Sequence, residues 1–180
     1  MHKADYRFSQ RTVSCYFDAD FSGLQVLVPD AQIVVITDEE VFGHHAAKLS
    51  AFPVIKFAAG EASKHQATVD HIINELISLG ANKHTFLVGI GGGVVTDITG
   101  YVAAVYMRGL RFGLVPTSIL AMVDAAIGGK NGIDVGVYKN MVGTVLQPEF
   151  IFYDYSFLQT LPVKEWVNGF AEIIKHACIK

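Results

Sequence analysis

Cysteine is nearly absent from this chain: Cys15 and Cys178 are the only two among 180 residues. Two distant thiols build no disulfide framework, and a reducing compartment is what they imply. No CxxC, HExxH or Cys/His cluster occurs, so spacing alone shows no zinc motif. Charge is sparse as well. Charged residues make up 17% and the formal net charge is -3, which excludes bulk electrostatic attraction to nucleic acid. Gly, Asp or Arg breaks each apolar run before it reaches bilayer length. The start, Met1-His2-Lys3, lacks the apolar core of a secretory leader. A cytoplasmic location is therefore expected, with no membrane and no nucleic acid as partner. Internal repeats and low-complexity linkers are missing too.

Hydrophobic residues, at 51%, are plentiful enough for a well-buried core. Residues 5–17 read as one or two short strands, and 20–27 as a short helix. The β-branched run Ile33–Thr37 suits a strand buried on both faces. A helix over 39–49 and a strand over 53–57 follow. Residues 64–79 give the clearest amphipathic helix: Val69, Ile72, Ile73, Leu76 and Ile77 share one stripe, and Gly80 ends it. Strand 85–90, helix 94–107, strand 111–115 and helix 118–127 continue the alternation. The glycine-rich stretch 128–149 reads as loop, and 150–154 as a late strand. Such alternation with short connections predicts an α/β fold, a Rossmann-like parallel sheet flanked by helices.

Residues 162–180 form a strongly apolar helix with Pro162 at its start and no partner surface after it. The expectation is that the chain is a piece of a longer protein. Residues 1–160 would be one α/β domain, and 161–180 the start of a second.

Three stretches carry chemistry. The first is Gly91-Gly92-Gly93-Val94-Val95-Thr96-Asp97, between a strand and a helix. Consecutive glycines let backbone N–H groups approach a diphosphate, and a helix N-terminus favours anions. A glycine triplet alone also makes an ordinary tight turn. The second runs from Asp124 through Gly128, Gly129 and Lys130 to Asp134, with Lys139 and Asn140 following. Lysines and an amide on glycine-bearing loops suit a phosphorylated or carboxylated substrate, though most lysines are solvated surface. The third is Asn168 to His176. On a helix Glu172 lies i, i+3 from Lys175 and i, i+4 from His176, a spacing that also describes an ordinary ion pair. Asp38, at the end of the 33–37 strand, suits ribose hydroxyls or a helix N-cap equally.

Taken in order, GGGVVTD, YMRG, RFGLVPTSILAMVDAAIGGKNGID, KNM and GFAEIIKH resemble 3-dehydroquinate synthases, densely from Gly91 onward and weakly before Thr37. That resemblance implies NAD, a divalent metal (zinc or cobalt) and a sugar-acid phosphate substrate. The implied reaction converts 3-deoxy-D-arabino-heptulosonate 7-phosphate to 3-dehydroquinate and phosphate, in the shikimate pathway of aromatic amino acid biosynthesis. A ring hydroxyl is oxidised, phosphate is eliminated, the ketone is reduced, and an aldol step closes the carbocycle.

Carried over to this sequence, the NAD-binding positions are Asp38, Gly60, Glu61, Lys64, Gly92, Gly93, Val94, Asp97, Thr117, Ser118, Lys130, Lys139, Phe157 and Thr160. Substrate and catalytic positions are Arg108, Asp124, Lys130, Asn140 and Lys175. Arg108 is implied to reach across a homodimer interface. Residues 1–160 would thus be the NAD-binding domain and 161–180 the first helix of a missing α-helical domain. Glu172 is the implied metal ligand, and the family's two metal-binding histidines belong to that C-terminal domain, with His176 matching neither. This sequence departs from the family's pattern at Glu40, Thr96, Ser118 and Asn131. With one metal ligand and half a cleft, the chain alone is expected to be inactive. Other readings are a different sugar-phosphate cyclase, a polyol dehydrogenase relative, and a non-catalytic NAD-binding or dimerisation fragment.

Overall fold

The computed structural model describes residues 1–8, 11–29 and 31–179. The strands are β1 (His2–Arg7), β2 (Thr12–Phe17), β3 (Ile33–Asp38), β4 (Val54–Phe57), β5 (Phe86–Gly91), β6 (Arg111–Pro116), β7 (Lys130–Val135), β8 (Tyr138–Val145) and β9 (Phe150–Phe152). The helices are α1 (Leu24–Leu27), α2 (Glu39–Leu49), α3 (Gln66–Ser78), α4 (Gly93–Val105) and α5 (Val163–Cys178). Seven strands form one sheet in the order β1-β2-β9-β6-β5-β3-β4. Only β1 runs antiparallel, at the edge, so the expected parallel sheet is present with one antiparallel addition.

Alternation along the strands sends side chains into two cores. Val34 and Ile36 of β3 face one side with Leu87, Phe112 and Leu114, under the apolar stripes of α3 and α4. Ile33 and Val35 face the other with Val88, Val115 and Phe150, against α1 and α2. The 64–79 stripe is narrower than its spacing predicts: Val69, Ile72 and Leu76 are fully buried and Ile73 partly so, Ile77 at its edge is exposed, and Gly80 takes the left-handed conformation (φ +67°) that ends α3. Cys15 lies buried in β2, whereas Cys178 is exposed on the last turn of α5.

One expectation needs correction and another refinement. Residues 128–149 are not loop but largely an antiparallel hairpin, β7 with β8. Gly132 and Gly143 face each other across it, and a Cβ on Gly143 would come within 2.2 Å of the Asn131 carbonyl oxygen. These glycines serve close strand contact rather than chain flexibility. The 118–127 helix forms over residues 119–125, but Ala121–Ala125 winds more widely than an α-helix, and Ala126 N–H donates to the Ala121 carbonyl five residues back. This π-type turn resets the direction in which Asp124 projects. Among the described residues no helix is long and apolar enough to cross a membrane.

Strand order reverses at β3: the chain steps outward to β4, then returns to β5 on the other flank. In open α/β sheets, ligands bind beyond the strand C-termini at such a reversal. Asp38 ends β3 and the glycine turn ends β5, so both expected nucleotide elements flank that point.

Candidate functional site

A cleft of 1310 Å³ opens there. Its floor is the glycine turn. Gly91 closes β5, Gly92 precedes α4, and no side chain caps the N-terminus of α4. The first N–H groups of that helix are thus without a side-chain partner, the arrangement that receives an anion. A Cβ on Gly92 or Gly93 would meet only ordinary contacts, Ser118 Oγ at 3.5 Å and Ala125 Cβ at 3.4 Å, so packing does not require glycine at either position and a larger side chain would extend into the cleft they line. Gly91 serves packing instead: its Cβ would strike Val95 at 2.4 Å. Thr96, one of the departures, turns away from the cleft. It is buried and its hydroxyl donates to the Gly93 carbonyl at 2.8 Å, within the helix.

Asp38 caps α2, accepting from Val41 N–H at 2.8 Å, and also lines the cleft. Both sequence readings of this residue are therefore compatible. Burial pushes its carboxyl above the ordinary carboxylate range, more strongly than the N-cap bond from Val41 lowers it. Glu40 lines the same rim. On the far side of α2 the backbone of His45 leaves helical geometry, which turns its ring onto Phe157 (centroids 4.7 Å apart) and its Nε2 to Thr160 Oγ1 at 2.8 Å. That contact ties α2 to the 155–160 segment and fixes Phe157 and Thr160 at the cleft wall.

Lys64 is the most constrained basic group in the cleft. It is buried, pairs with Asp97 at 2.5 Å and donates to Asn140 Oδ1 at 2.7 Å. Its carbonyl also accepts from Asp134 N–H at 2.7 Å. One lysine thereby joins the segment before α3, helix α4 and the tip of the hairpin. Asp97 is pulled two ways: burial raises its carboxyl, and the Lys64 ammonium partly lowers it again. The net direction is upward.

The hairpin base is pinned by Asn131, another departure. Its amide donates to the Gly129 carbonyl at 2.8 Å and the Leu146 carbonyl at 3.0 Å. Its Oδ1 lies where a Cβ on Gly100 would be, 1.8 Å away, so α4 and the hairpin touch through a glycine. Gln147 secures the preceding residue by donating to the Gly128 carbonyl at 2.8 Å. Lys130 leaves this braced turn into the cleft, as does Asn140, whose φ is +55°.

The expected cofactor set is brought together almost whole. Asp38, Gly60, Glu61, Lys64, Gly92, Gly93, Val94, Asp97, Thr117, Ser118, Lys130, Phe157 and Thr160 all line the cleft. Lys139 stays outside its wall, exposed and paired with Glu61 at 3.0 Å. Of the substrate set, Asp124, Lys130 and Asn140 line the cleft. Arg108 and Lys175 do not. Arg108 is exposed, following Met107 in two successive left-handed residues after α4. Cleft residues missed in the sequence include His44, Lys164, Glu165 and Asn168. The last three occupy the first turns of α5, and only their helical spacing could have signalled them.

α5 meets the rest of the molecule at the turn bearing Asp124. Gly169 makes this possible, since a Cβ there would sit 2.2 Å from the Ile119 Cβ. The approach brings Asp124, Glu172 and His176 into one cluster, with ligand atoms all within 4.8 Å of one another. The Lys175 ammonium also lies against Glu172 Oε1. A divalent metal fits the chemistry of this donor set, two carboxylates and an imidazole. NAD fits the glycine cradle and the uncapped helix.

A Rossmann-like α/β domain whose glycine turn, basic hairpin and acidic helix meet at a strand reversal is what fold and site define. The 3-dehydroquinate synthase N-terminal family model matches residues 54–168, and the chain belongs to that family. It is 40% identical over 181 residues to a pentafunctional AROM polypeptide of Komagataella phaffii, covering 97% of this chain and 12% of that one. It is 36% identical over 179 residues to the 3-dehydroquinate synthase of Leptospira interrogans serovar copenhageni, covering 94% of this chain and 50% of that enzyme. The crystal structure of 2-deoxy-scyllo-inosose synthase with carbaglucose-6-phosphate, NAD+ and Co2+ superposes with a TM-score of 0.86 at 26% identity, over 97% of this chain and 50% of that one. The chain thus spans half or less of the length of each.

Proposed function

We propose that these residues are the nucleotide-binding half of a 3-dehydroquinate synthase acting on 3-deoxy-D-arabino-heptulosonate 7-phosphate, working as a homodimer. The observation that carries this reading is the shared cleft: an uncapped glycine turn and a braced pair, Lys130 and Asn140, line one space. The first suits a dinucleotide diphosphate, the second a substrate phosphate. Identity to the Leptospira synthase, 36%, exceeds that to the inosose synthase, 26%, which favours this cyclase over its relative.

In this reading Asp38 accepts from ribose hydroxyls, and the N–H groups after Gly92 hold the diphosphate. Lys64, fixed by Asp97, presents its ammonium toward the cofactor. Lys130 and Asn140 orient the substrate phosphate, and Asp124 accepts from a substrate hydroxyl. Arg108, exposed after α4, would serve the partner's cleft. The domain limit falls near residue 160, with α5 opening the second domain. Bound NAD would supply a reversible hydride acceptor, and a metal held at Glu172 a Lewis acid for substrate oxygens.

Calorimetry with NAD tests the cofactor half: binding by the chain, weakened at least tenfold by Gly93→Val, supports it, and no heat with NAD overturns it. For the reaction, phosphate release is measured from heptulosonate phosphate and from sedoheptulose 7-phosphate, using protein carrying both halves. Release from the former alone is expected. The 180 residues by themselves should release none. Net NADH formation from a polyol would replace this reading with a dehydrogenase.

A further inference from the structure

We infer that His45 is a positioning residue for the cofactor: it holds Thr160 at the cleft wall while its ring is neutral and releases it on protonation, so that NAD affinity falls in acid. The wall contact stands on geometry alone. Its effect on NAD deepens the proposed function and rests on that reading.

α2 and the 155–160 segment line one cleft, with Asp38, Val41 and His45 from the helix and its cap, and Phe157 and Thr160 from the segment. Two side chains of α2 tie them together. Lys48 reaches the start of the segment. Its ammonium donates to Ser156 Oγ, pairs with Asp154 at 3.4 Å and lies over the Phe157 ring, 4.7 Å from the centroid. His45 reaches the end of the segment. Its Nε2 lies 2.8 Å from Thr160 Oγ1, and its ring meets that of Phe157 at 62°, centroids 4.7 Å apart. The backbone break at His45 (φ -126°, ψ 17°) delivers the ring to this place.

Charge makes the contact conditional. His45 is buried. The charged and titratable groups that bear on it are Lys48 and His44 of α2 and Asp154 ahead of the segment, while Asp38 and Glu40 line the cleft from the start of the helix. Burial, then Lys48 and His44, hold the imidazole pKa below its ordinary value, and Asp154 offsets them only in part. The docked ring is therefore neutral at neutral pH. An imidazolium there would be buried beside an ammonium that shares its Phe157 contact. A geometry that disfavours the charged ring is itself disfavoured once the ring is charged, so acid shifts the population toward a ring turned out to water. Thr160 then loses its partner on α2, and its hydroxyl is left with the Phe157 carbonyl at 3.3 Å. The Lys48 tie does not involve the imidazole, so the segment stays attached at its start and only the Thr160 end loosens.

NMR titration of the imidazole rings and backbone amides, without NAD, tests the contact and needs no variant. The His45 ring is expected to titrate below the ordinary value of about 6.5, and the Thr160 amide to follow it with the same midpoint. A Thr160 amide that ignores the His45 titration overturns the inference, whether or not NAD binds. Calorimetry with NAD from about pH 7.5 to about pH 5.5 tests the consequence. Affinity should fall about fivefold, the worth of one hydrogen bond. His45→Gln keeps an N–H donor without a titrating ring, so it should hold parental affinity at neutral pH and lose the acid weakening. His45→Phe keeps the ring contact alone and should bind about fivefold more weakly across the range. Any slope common to both variants belongs to other groups, such as Asp38 and Asp97, whose carboxyls burial raises. Equal weakening of the two variants at neutral pH overturns the inference, because ring shape rather than the Thr160 bond would then matter. A parental slope that persists in His45→Gln sinks it too and leaves the proposed function standing. No NAD binding at any pH, beside a Thr160 amide that follows His45, sinks the proposed function and leaves the wall contact standing.

Discussion

At Asp38 one carboxylate caps α2 and lines the cleft while burial raises its pKa. A carboxyl whose folded pKa lies above its unfolded value, about 3.9, binds more protons in the native state. Stability therefore falls as pH rises through the interval between the two values, and the penalty is complete above the folded one. Asn caps a helix as well as Asp and carries no charge. Asp38→Asn should raise Tm at pH 7, and the gain should vanish as pH drops below the unfolded pKa. The same change should weaken NAD binding about tenfold, since an amide replaces a charged acceptor at the ribose. Thermal melts across pH and NAD calorimetry check the two halves of this prediction. A variant less stable than the parent at pH 7 would show that the charged cap outweighs the burial cost. The N-cap role of Asp38 was legible from sequence, because a carboxylate between a β-branched strand and a helix is placed to accept from the first turn. His45 was not. Its role depends on a local break in α2 that no spacing announces.

At the scale of elements, α5 is held by little apart from its contact with the π-type turn. Val163, Val167, Phe170 and Ile174 remain exposed along it, the stripe that the sequence showed as apolar and unpartnered. Gly169 controls the contact. Gly169→Ala would drive a methyl into Ile119 and the Leu120 backbone, a clash of the kind that costs about 1–3 kcal/mol or is relieved by moving the helix. Relief by movement is expected, because α5 is free on its other face. Glu172 and His176 would then part from Asp124. Nuclear Overhauser contacts between α5 and the 119–125 segment should be lost while Tm changes by only a few degrees. Unchanged contacts with a large drop in Tm would mean that the clash is absorbed as strain rather than relieved by moving the helix.

The hairpin shows why glycine counts mislead. Gly132 and Gly143 look like loop residues one at a time, and only their pairing reveals a strand contact too close for any Cβ. Asn131 was read as a departure. The partners of its amide lie at Gly129 and Leu146, fifteen residues apart in sequence for the latter, and such convergence is invisible before folding.

Across the whole molecule, the layered sheet was readable because both faces of β3 and β5 are buried and leave continuous β-branched runs. The nucleotide side of the cleft was readable for a related reason. Its elements follow strand C-termini, where Rossmann-like folds concentrate binding. The cluster of Asp124, Glu172 and His176 was half readable: Glu172 and His176 share a helix face, but Asp124 joins them only through the docking of a distant element. Lys64 likewise gained its meaning from three dimensions, since the pairing with Asp97, the bond to Asn140 and the hold on Asp134 reach residues far along the chain.

The two cysteines, unpaired and differently placed, give the molecule a clock of its own. Cys178 is exposed at the end of α5, whereas Cys15 is buried in β2 and its thiol is pushed upward by that burial. A thiol-alkylating reagent should add one mass label to the native chain within minutes and the second only as fast as β2 separates from β1 and β9. Mass spectrometry of quenched samples would read that opening rate directly, and added NAD or zinc should slow the second label only if they stabilise the sheet rather than α5 alone.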